Sequence, residues 1–262
     1  MRILLLALFI SLSANAAELR IESDRGIQDW STDQLLAHPD ARDIAIPRDV
    51  SYKRAMRYRA VPLAALLPGL KPDQQLQAVA RDGFAAELPA APLLQAQGAQ
   101  AWLAIEEPAR PWPALAKDKP SAGPFYLVWT DPAASGIGPE QWPFQVVKLR
   151  YLAPLAQRFP ALLPAPEADA TVQAGFAVFQ KNCLACHRLN GAGDAAFGPD
   201  LNLPYNPTEY FAGDFLGRYI RDPQSLRRWP RASMPAFDRD VLSDEALRQL
   251  IAYLRHMAKR KV

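Results

Sequence analysis

Apolar positions follow two different rhythms along this chain. In the last third they recur at helical spacing. Val172, Phe176, Phe179 and Cys183 stand at i, i+4, i+7 and i+11, one face of a helix. Leu247, Leu250, Ile251 and Leu254 form a second stripe. It follows Ser243 as N-cap, with Asp244 and Glu245 in the first turn and Lys259, Arg260 and Lys261 at the far end, where each charge suits the helix dipole. A third helical stretch runs from about Asp214 to Arg221 and stops at Asp222-Pro223, because the residue before a proline is pushed out of helical backbone. Upstream the rhythm changes. Leu76 to Ala80, Ala101 to Ile105, Phe125 to Thr130 and Phe144 to Tyr151 are rich in aromatic and branched residues, which predicts strands. Proline and glycine punctuate them. Ser31 to Leu36 predicts a short capped helix and Val61 to Leu67 another. Together these elements predict two domains, an amino-terminal α+β domain rich in strands and a carboxy-terminal all-α domain.

Between the two lies a proline- and alanine-rich stretch from Pro160 to Ala170. Proline fixes φ and lacks a backbone donor, so the expectation is an extended, semi-rigid connector. This gives an α+β domain over 18–160, a connector over 161–168 and a helical domain over 169–262. No internal repeat is present.

The extreme amino terminus modifies the picture. Arg2 precedes an apolar run from Ile3 to Leu12, and Ala14-Asn15-Ala16 follows. A charged start, a short apolar region and a small-x-small site predict a cleaved export signal over 1–17. The run is shorter than the roughly 20 apolar residues a membrane span needs. The expectation is therefore a periplasmic protein without a transmembrane segment. The net charge of +3 gives no indication of a nucleic-acid partner.

The two cysteines of the chain fall in one pentapeptide, Cys183-Leu184-Ala185-Cys186-His187. Two thiols at this spacing are also compatible with a thioredoxin-like pair, half of a zinc site or a short-range disulfide. A redox pair needs no adjacent histidine. A zinc site needs further ligands, and only His38 and His256 remain. The spacing favours covalent attachment of one c-type haem, with each thiol forming a thioether to a vinyl group and His187 as axial ligand.

These features together resemble a class I cytochrome c over about Asp169 to Val262. The family's first helix carries a glycine and an aromatic, matched by Gly175 and Phe179, and its last helix an aromatic matched by Tyr253. Gly198-Pro199-Asp200-Leu201 matches the loop after the haem motif, so the resemblance gives Pro199 the carbonyl that accepts a hydrogen bond from the axial histidine. A ligating imidazole needs such an acceptor to fix its tautomer. Met234, followed by Pro235 just before the last helix, matches the family's distal ligand; His256 is the weaker rival, Met257 reads as core and Met56 lies in the other domain. The metal ligands expected are thus His187 and Met234. Arg227-Arg228-Trp229-Pro230-Arg231 adds a basic run. Arg228 and Arg231 are assigned to haem propionates, and the run to steering a redox partner protein that is acidic at its docking face.

The amino-terminal domain carries a fainter resemblance, over about Ile27 to Tyr151, to the molybdopterin-binding domain of the sulfite oxidase family. Its carriers are Tyr58-Arg-Ala-Val-Pro62-Leu63, Asp82-Gly83-Phe84 leading to Pro89, and Gly123-Pro124-Phe125. That family holds molybdenum through a cysteine thiolate, and haem attachment consumes both thiols here. No phosphate loop, nucleophile elbow or paired-histidine metal motif appears. His38, Asp82, Glu106 and Glu107 read as ordinary surface groups, and Trp102, Trp112, Trp129 and Trp142 as packing. The expected function is electron transfer, with the amino-terminal domain docking a partner and no catalytic residue of its own. The alternatives are an oxidoreductase whose amino-terminal domain feeds the haem, and a haem-based ligand sensor.

Overall fold

The computed structural model describes residues 17–262 apart from Ala96, Ala196, Trp229 and Arg231. The segment expected to be an export signal therefore lies, but for Ala17, outside the described residues, and so does Arg231. The first half of the chain builds two sheets. Strands β1 (Glu18–Ser23) and β2 (Gly26–Ser31) form a hairpin, followed by helix α1 (Thr32–Leu36). Ser31 caps that helix reciprocally: its hydroxyl accepts from Gln34 N, and Gln34 Oε1 accepts from Ser31 N at 2.8 Å. Strands β3 (Arg42–Ile46), β4 (Met56–Pro62), β5 (Gln75–Ala80) and β6 (Ala85–Pro89) lead to helix α2 (Ala90–Leu93). Strands β7 (Gln100–Ile105), β8 (Phe125–Thr130) and β9 (Val146–Leu152) complete the set.

One sheet has the order β2-β1-β9-β5-β6, in which only β1 and β9 run parallel; the other is an antiparallel β3-β4-β7-β8. Their facing sides share one apolar core. Leu19, Leu35, Val61, Leu76, Leu103 and Leu149 are sealed there. Trp102, Trp129 and Trp142 are buried as packing residues. The predicted strands at 76–80, 101–105 and 125–130 stand within a residue of expectation. β1, β2, β3, β4 and β6 are additional. They are five to seven residues long, and the polar and charged residues within them mask the strand rhythm. The predicted helix at 61–67 is a single 3-10 turn, Leu63–Leu66.

The second half is helical: α3 (Leu155–Arg158), α4 (Ala170–Asn182), α5 (Pro207–Tyr210), α6 (Phe215–Arg221), α7 (Pro223–Leu226) and α8 (Asp244–Ala258). Asp169 caps α4 and Ser243 caps α8. α4 and α8 cross so closely at Gly175 that a Cβ there would run into the backbone carbonyl of Gln249. Phe176 and Phe179 stack against Tyr253 at 5.5 and 5.3 Å.

The stretch expected to be extended is folded. Pro160–Leu162 is a 3-10 turn, Leu162 and Ala165 are buried, and Leu162 O accepts from the Tyr253 hydroxyl at 2.7 Å. Leu155 and Leu162 belong to the helical core, with Phe159 packed against it. Prolines set φ here, and apolar residues between them find the face of α8; composition showed the first effect and hid the second.

A charged cluster joins the halves. Arg158, at the end of α3, pairs with Glu87 of β6 and, at 2.7 Å, with Asp194 from the segment after the cysteine motif. Gln77 of β5 donates to Asp194 at 2.7 Å and accepts from Arg150 of β9 at 2.7 Å.

Candidate haem-attachment site

α4 delivers the cysteine motif. Its last residue is Asn182, and Cys183 is its C-cap. Cys186 N and His187 N both return to Cys183 O, at 3.0 and 2.9 Å, so the motif closes as a tight turn with the two thiols one turn apart. Neither cysteine is in a disulfide. Burial pushes the Cys183 thiol up to about 12 and the Cys186 thiol up to about 11, with the Glu140 carboxylate adding to both. Both are therefore thiols at neutral pH, unlike the depressed thiolate of a redox-active pair.

The chain after the motif returns to cover it. Gly198 N donates to Cys186 O at 2.7 Å, and Leu201 N to Arg188 O at 2.8 Å. This brings Pro199 O to 2.8 Å from His187 Nδ1. The imidazole with Nδ1–H donating to that carbonyl has Nε2 as its remaining lone pair, which is the donor a metal takes. Burial holds the His187 pKa below its ordinary value, which also favours the neutral ring. Gly198 is required at its position because a Cβ would collide with that ring. Two free thiols one turn apart, a neutral imidazole with one nitrogen committed, and a glycine slot along the ring together fit a covalently attached haem.

The loop is held by polar residues that sequence reasoning passed over. Asp200 accepts backbone N–H bonds from Asn190, Gly191, Asn202 and Leu203, at 2.6 to 3.2 Å. Three buried asparagines then pin the loop to the end of α8. Asn190 Nδ2 donates to Arg260 O, Asn202 Nδ2 to Met257 O at 2.8 Å, and Asn206 Nδ2 to Leu254 O at 3.0 Å. They also bond one another, Asn202 to Asn190 Oδ1 and Asn206 to Asn202 Oδ1. The carbonyls served lie in the last turns of α8 and just beyond it, and Met257 O also accepts from Arg260 N at 2.8 Å. The available signal was a run of Asn and Asp spaced through a proline-rich loop, which reads equally as solvated turn chemistry.

The other predicted residues are placed as follows. Met234 is half-buried in the irregular stretch before α8 and packs against the helical core. Met257 is buried on α8 and Met56 lies in β4 against the other core. The rival His256 accepts Ala165 N–H at its Nε2, at 3.0 Å. Arg227 and Arg228 are exposed. His38 accepts a backbone N–H from Asp40 and sits against Trp30. Of the phrases that carry the amino-terminal resemblance, Tyr58 to Leu63 spans β4 and the 3-10 turn after it, and Phe125 opens β8. Among the described residues no helix is long and apolar enough to cross a membrane, and no cluster of three or more His, Cys, Asp or Glu side chains is placed to hold a metal ion.

A comparison with curated proteins finds no match. Among solved structures the chain is similar to the sulfane dehydrogenase SoxCD from Paracoccus pantotrophus. The TM-score is 0.37 and the identity 18%, over 52% of this chain and 38% of that one. Residues 172–258 match the family model described as Cytochrome c. The helical half is thus a cytochrome c domain, a haem-based electron-transfer unit of the kind that carries covalently bound c-type haem.

Proposed function

We propose that the protein is an exported electron carrier with one haem attached through Cys183 and Cys186. The observation that carries this reading is the His187 Nδ1–Pro199 O contact of 2.8 Å beside two free, protonated thiols. Haem, when bound, supplies a one-electron ferric–ferrous couple. His187 is the proximal ligand, oriented by Pro199 and by the slot at Gly198. Met234 would hold the iron from the other side, its soft thioether favouring the ferrous state and leaving no place for exogenous ligands. Asp200 and the three asparagines keep the ligand loop from moving as the charge on iron changes. That lowers the reorganisation a rapid electron transfer must overcome.

The exposed Arg227 and Arg228 face solvent and steer an acidic redox partner. The amino-terminal half serves recognition and positioning rather than turnover. Acid-acetone extraction tests the attachment: the haem stays with the polypeptide of wild-type protein, and extraction of free haem overturns the reading. Met234→Ala tests the distal ligand. It abolishes the near-infrared sulfur-to-iron band of oxidised protein, lowers the potential and admits exogenous ligands. Retention of the band assigns the ligand elsewhere.

A further inference from the structure

The amino-terminal half packs against the end of α4 that leads into the cysteine motif. The contact is made by the segment between β8 and β9, which holds a 3-10 turn, Pro139–Gln141. Lys181, two residues before Cys183 on α4, donates from Nζ to Gly136 O at 2.7 Å, and its Cε would lie 2.9 Å from a Cβ placed on Gly138. Just past these anchors the same turn, which packs against α4, presents Glu140. Its carboxylate adds to the upward push on both the Cys183 and Cys186 thiols.

The turn is rigid. Gly138 N donates to Gln141 Oε1 at 2.9 Å, Trp142 N to Pro139 O at 3.0 Å, and Trp129 Nε1 to Gln141 O at 2.8 Å. Gln141 and Trp142 are buried, and Trp142 packs on Tyr126 at 6.3 Å. A side chain on so fixed a support is held at one place rather than sampling many.

Glu140 has no hydrogen-bond or ion-pair partner among the described residues. The charged and titratable groups on the elements around it are few. α4 offers only Lys181, whose ammonium is turned to Gly136 O. β6 offers only Glu87, which is committed to Arg158. The motif offers the two cysteines, which thioether formation would remove from titration. Asp82, in the exposed β5–β6 turn, also acts on Cys186. Burial alone raises the Glu140 carboxyl to about 7.

A carboxylate without a cationic partner beside the attachment site would stabilise the oxidised haem, which carries one more positive charge, to an extent that solvent screening of the half-buried group limits. We propose that Glu140 is a tuning residue through which the amino-terminal half lowers the haem potential and couples reduction to proton uptake. The inference rests on the haem reading above. The balance is simple: one electron from the redox partner goes to iron, and one proton from solvent goes to the Glu140 carboxylate. Both are released on oxidation.

Spectroelectrochemical titration of the holoprotein between pH 5 and 9 tests this. The wild-type midpoint potential is expected to fall as pH rises through about 7 and to level off above it. A proton bound tenfold more tightly to the reduced than to the oxidised protein corresponds to a fall of about 59 mV. Glu140→Gln is expected to be flat over this range and to lie near the acid wild-type plateau. Glu140→Asp retains the fall. Asp82→Asn, at an exposed position, shifts the curve less. If holo Glu140→Gln follows the wild-type curve, the role of Glu140 is overturned while the haem reading stands. A wild-type curve that is flat from pH 5 to 9 overturns it as well, without need of any variant. Absence of covalent haem from the wild type overturns the functional reading itself.

Discussion

The strand-rich half and the helical half secure their irregular segments differently. In the first, loops hang between strands whose ladders already fix them, and the buried polar groups, Thr32, Asp49, Gln77 and Gln141, are scattered over separate elements. Asp49 accepts from Ser51 N, Tyr52 N and the Tyr58 hydroxyl, and so closes a single turn against the sheet. In the second, two long irregular stretches, 183–206 and 227–242, flank the site with little secondary structure of their own. Order there comes from point contacts: Asp200 gathering four backbone donors, and three asparagines serving carbonyls near the end of α8. A ladder tolerates single losses, because neighbours share the load. A chain of point contacts does not, and each buried member that loses its partner carries a full desolvation cost. The helical half should therefore be the fragile one, and its fragility should centre on the residues around His187.

The largest effect tests that contrast at the covalent link. Cys183→Ala with Cys186→Ala should give protein without bound haem and with a disordered helical half, while the sheets stay folded. Five of the six tryptophans, Trp30, Trp102, Trp112, Trp129 and Trp142, lie before residue 155, so tryptophan emission reports almost wholly on the sheets. Far-ultraviolet dichroism at 222 nm reports mainly on the helices. The contrast is wrong if both signals are lost together.

The next effect concerns the seam. Arg158 and Glu87 have side-chain exposures of only 15% and 7%. Burial raises the Glu87 carboxyl despite its cationic partner, which shows how much solvation the pair has given up. Arg158→Ala leaves Glu87 buried without its cation and should cost about 3–5 kcal/mol. Arg158→Met, which loses the guanidinium over Phe159 but keeps an apolar stem of similar length, should cost less. Denaturant unfolding monitored by emission and by dichroism should then show two separated transitions where the wild type shows one.

The helices α4 and α8 were legible because their faces repeat at 3.6 residues and their caps are local. The cysteine motif was legible because five adjacent residues carry it. The contact of Pro199 with His187 was reached only through family resemblance, since nothing in the intervening residues dictates the return. The asparagine chain and Glu140 escaped for a common reason. Their partners lie roughly fifty positions away in sequence, and a polar residue in a loop reads as solvated until the fold shows what covers it. The prolines of 160–166 misled in the opposite direction. They announced stiffness, and Leu162, buried in the helical core with its carbonyl accepting from the Tyr253 hydroxyl, set the outcome. One consequence is practical: a truncation meant to isolate the helical half must keep Leu155, Phe159 and Leu162.

A smaller effect probes the point contacts one at a time. Asn202→Ala removes two bonds and leaves Met257 O and Asn190 Oδ1 without this donor. The expected loss is about 1–3 kcal/mol, read in the Arg158→Ala background, where the two halves unfold apart, as a lower midpoint in the dichroism transition with the emission transition unchanged. Asn202→Asp keeps the size but replaces the donor with an acceptor facing a carbonyl, and should be worse than alanine. If alanine is neutral, the loop is held by Asp200 and packing instead.

The smallest effect is pH-dependent and sharpens the seam rather than either half. Burial raises the folded-state carboxyl of Glu140 from 4.5 to about 7. The folded protein thus holds a proton that the unfolded chain releases at lower pH. The stabilisation from this group is fully present below about pH 4.5 and is lost as pH rises through about 7. Each tenfold gain in proton affinity on folding is worth about 1.4 kcal/mol. The carboxyl is only half-buried, so solvent screening should reduce the whole effect to the order of 1 kcal/mol. Many other groups titrate over the same range, so a single unfolding curve would not isolate it. The difference between wild type and Glu140→Gln does, because every other group is common to both. That difference should move against the wild type between pH 5 and 8 and level off above it. A constant difference would mean that Glu140 keeps an ordinary carboxylate in the folded protein, and that the turn is open to water at the cysteine motif.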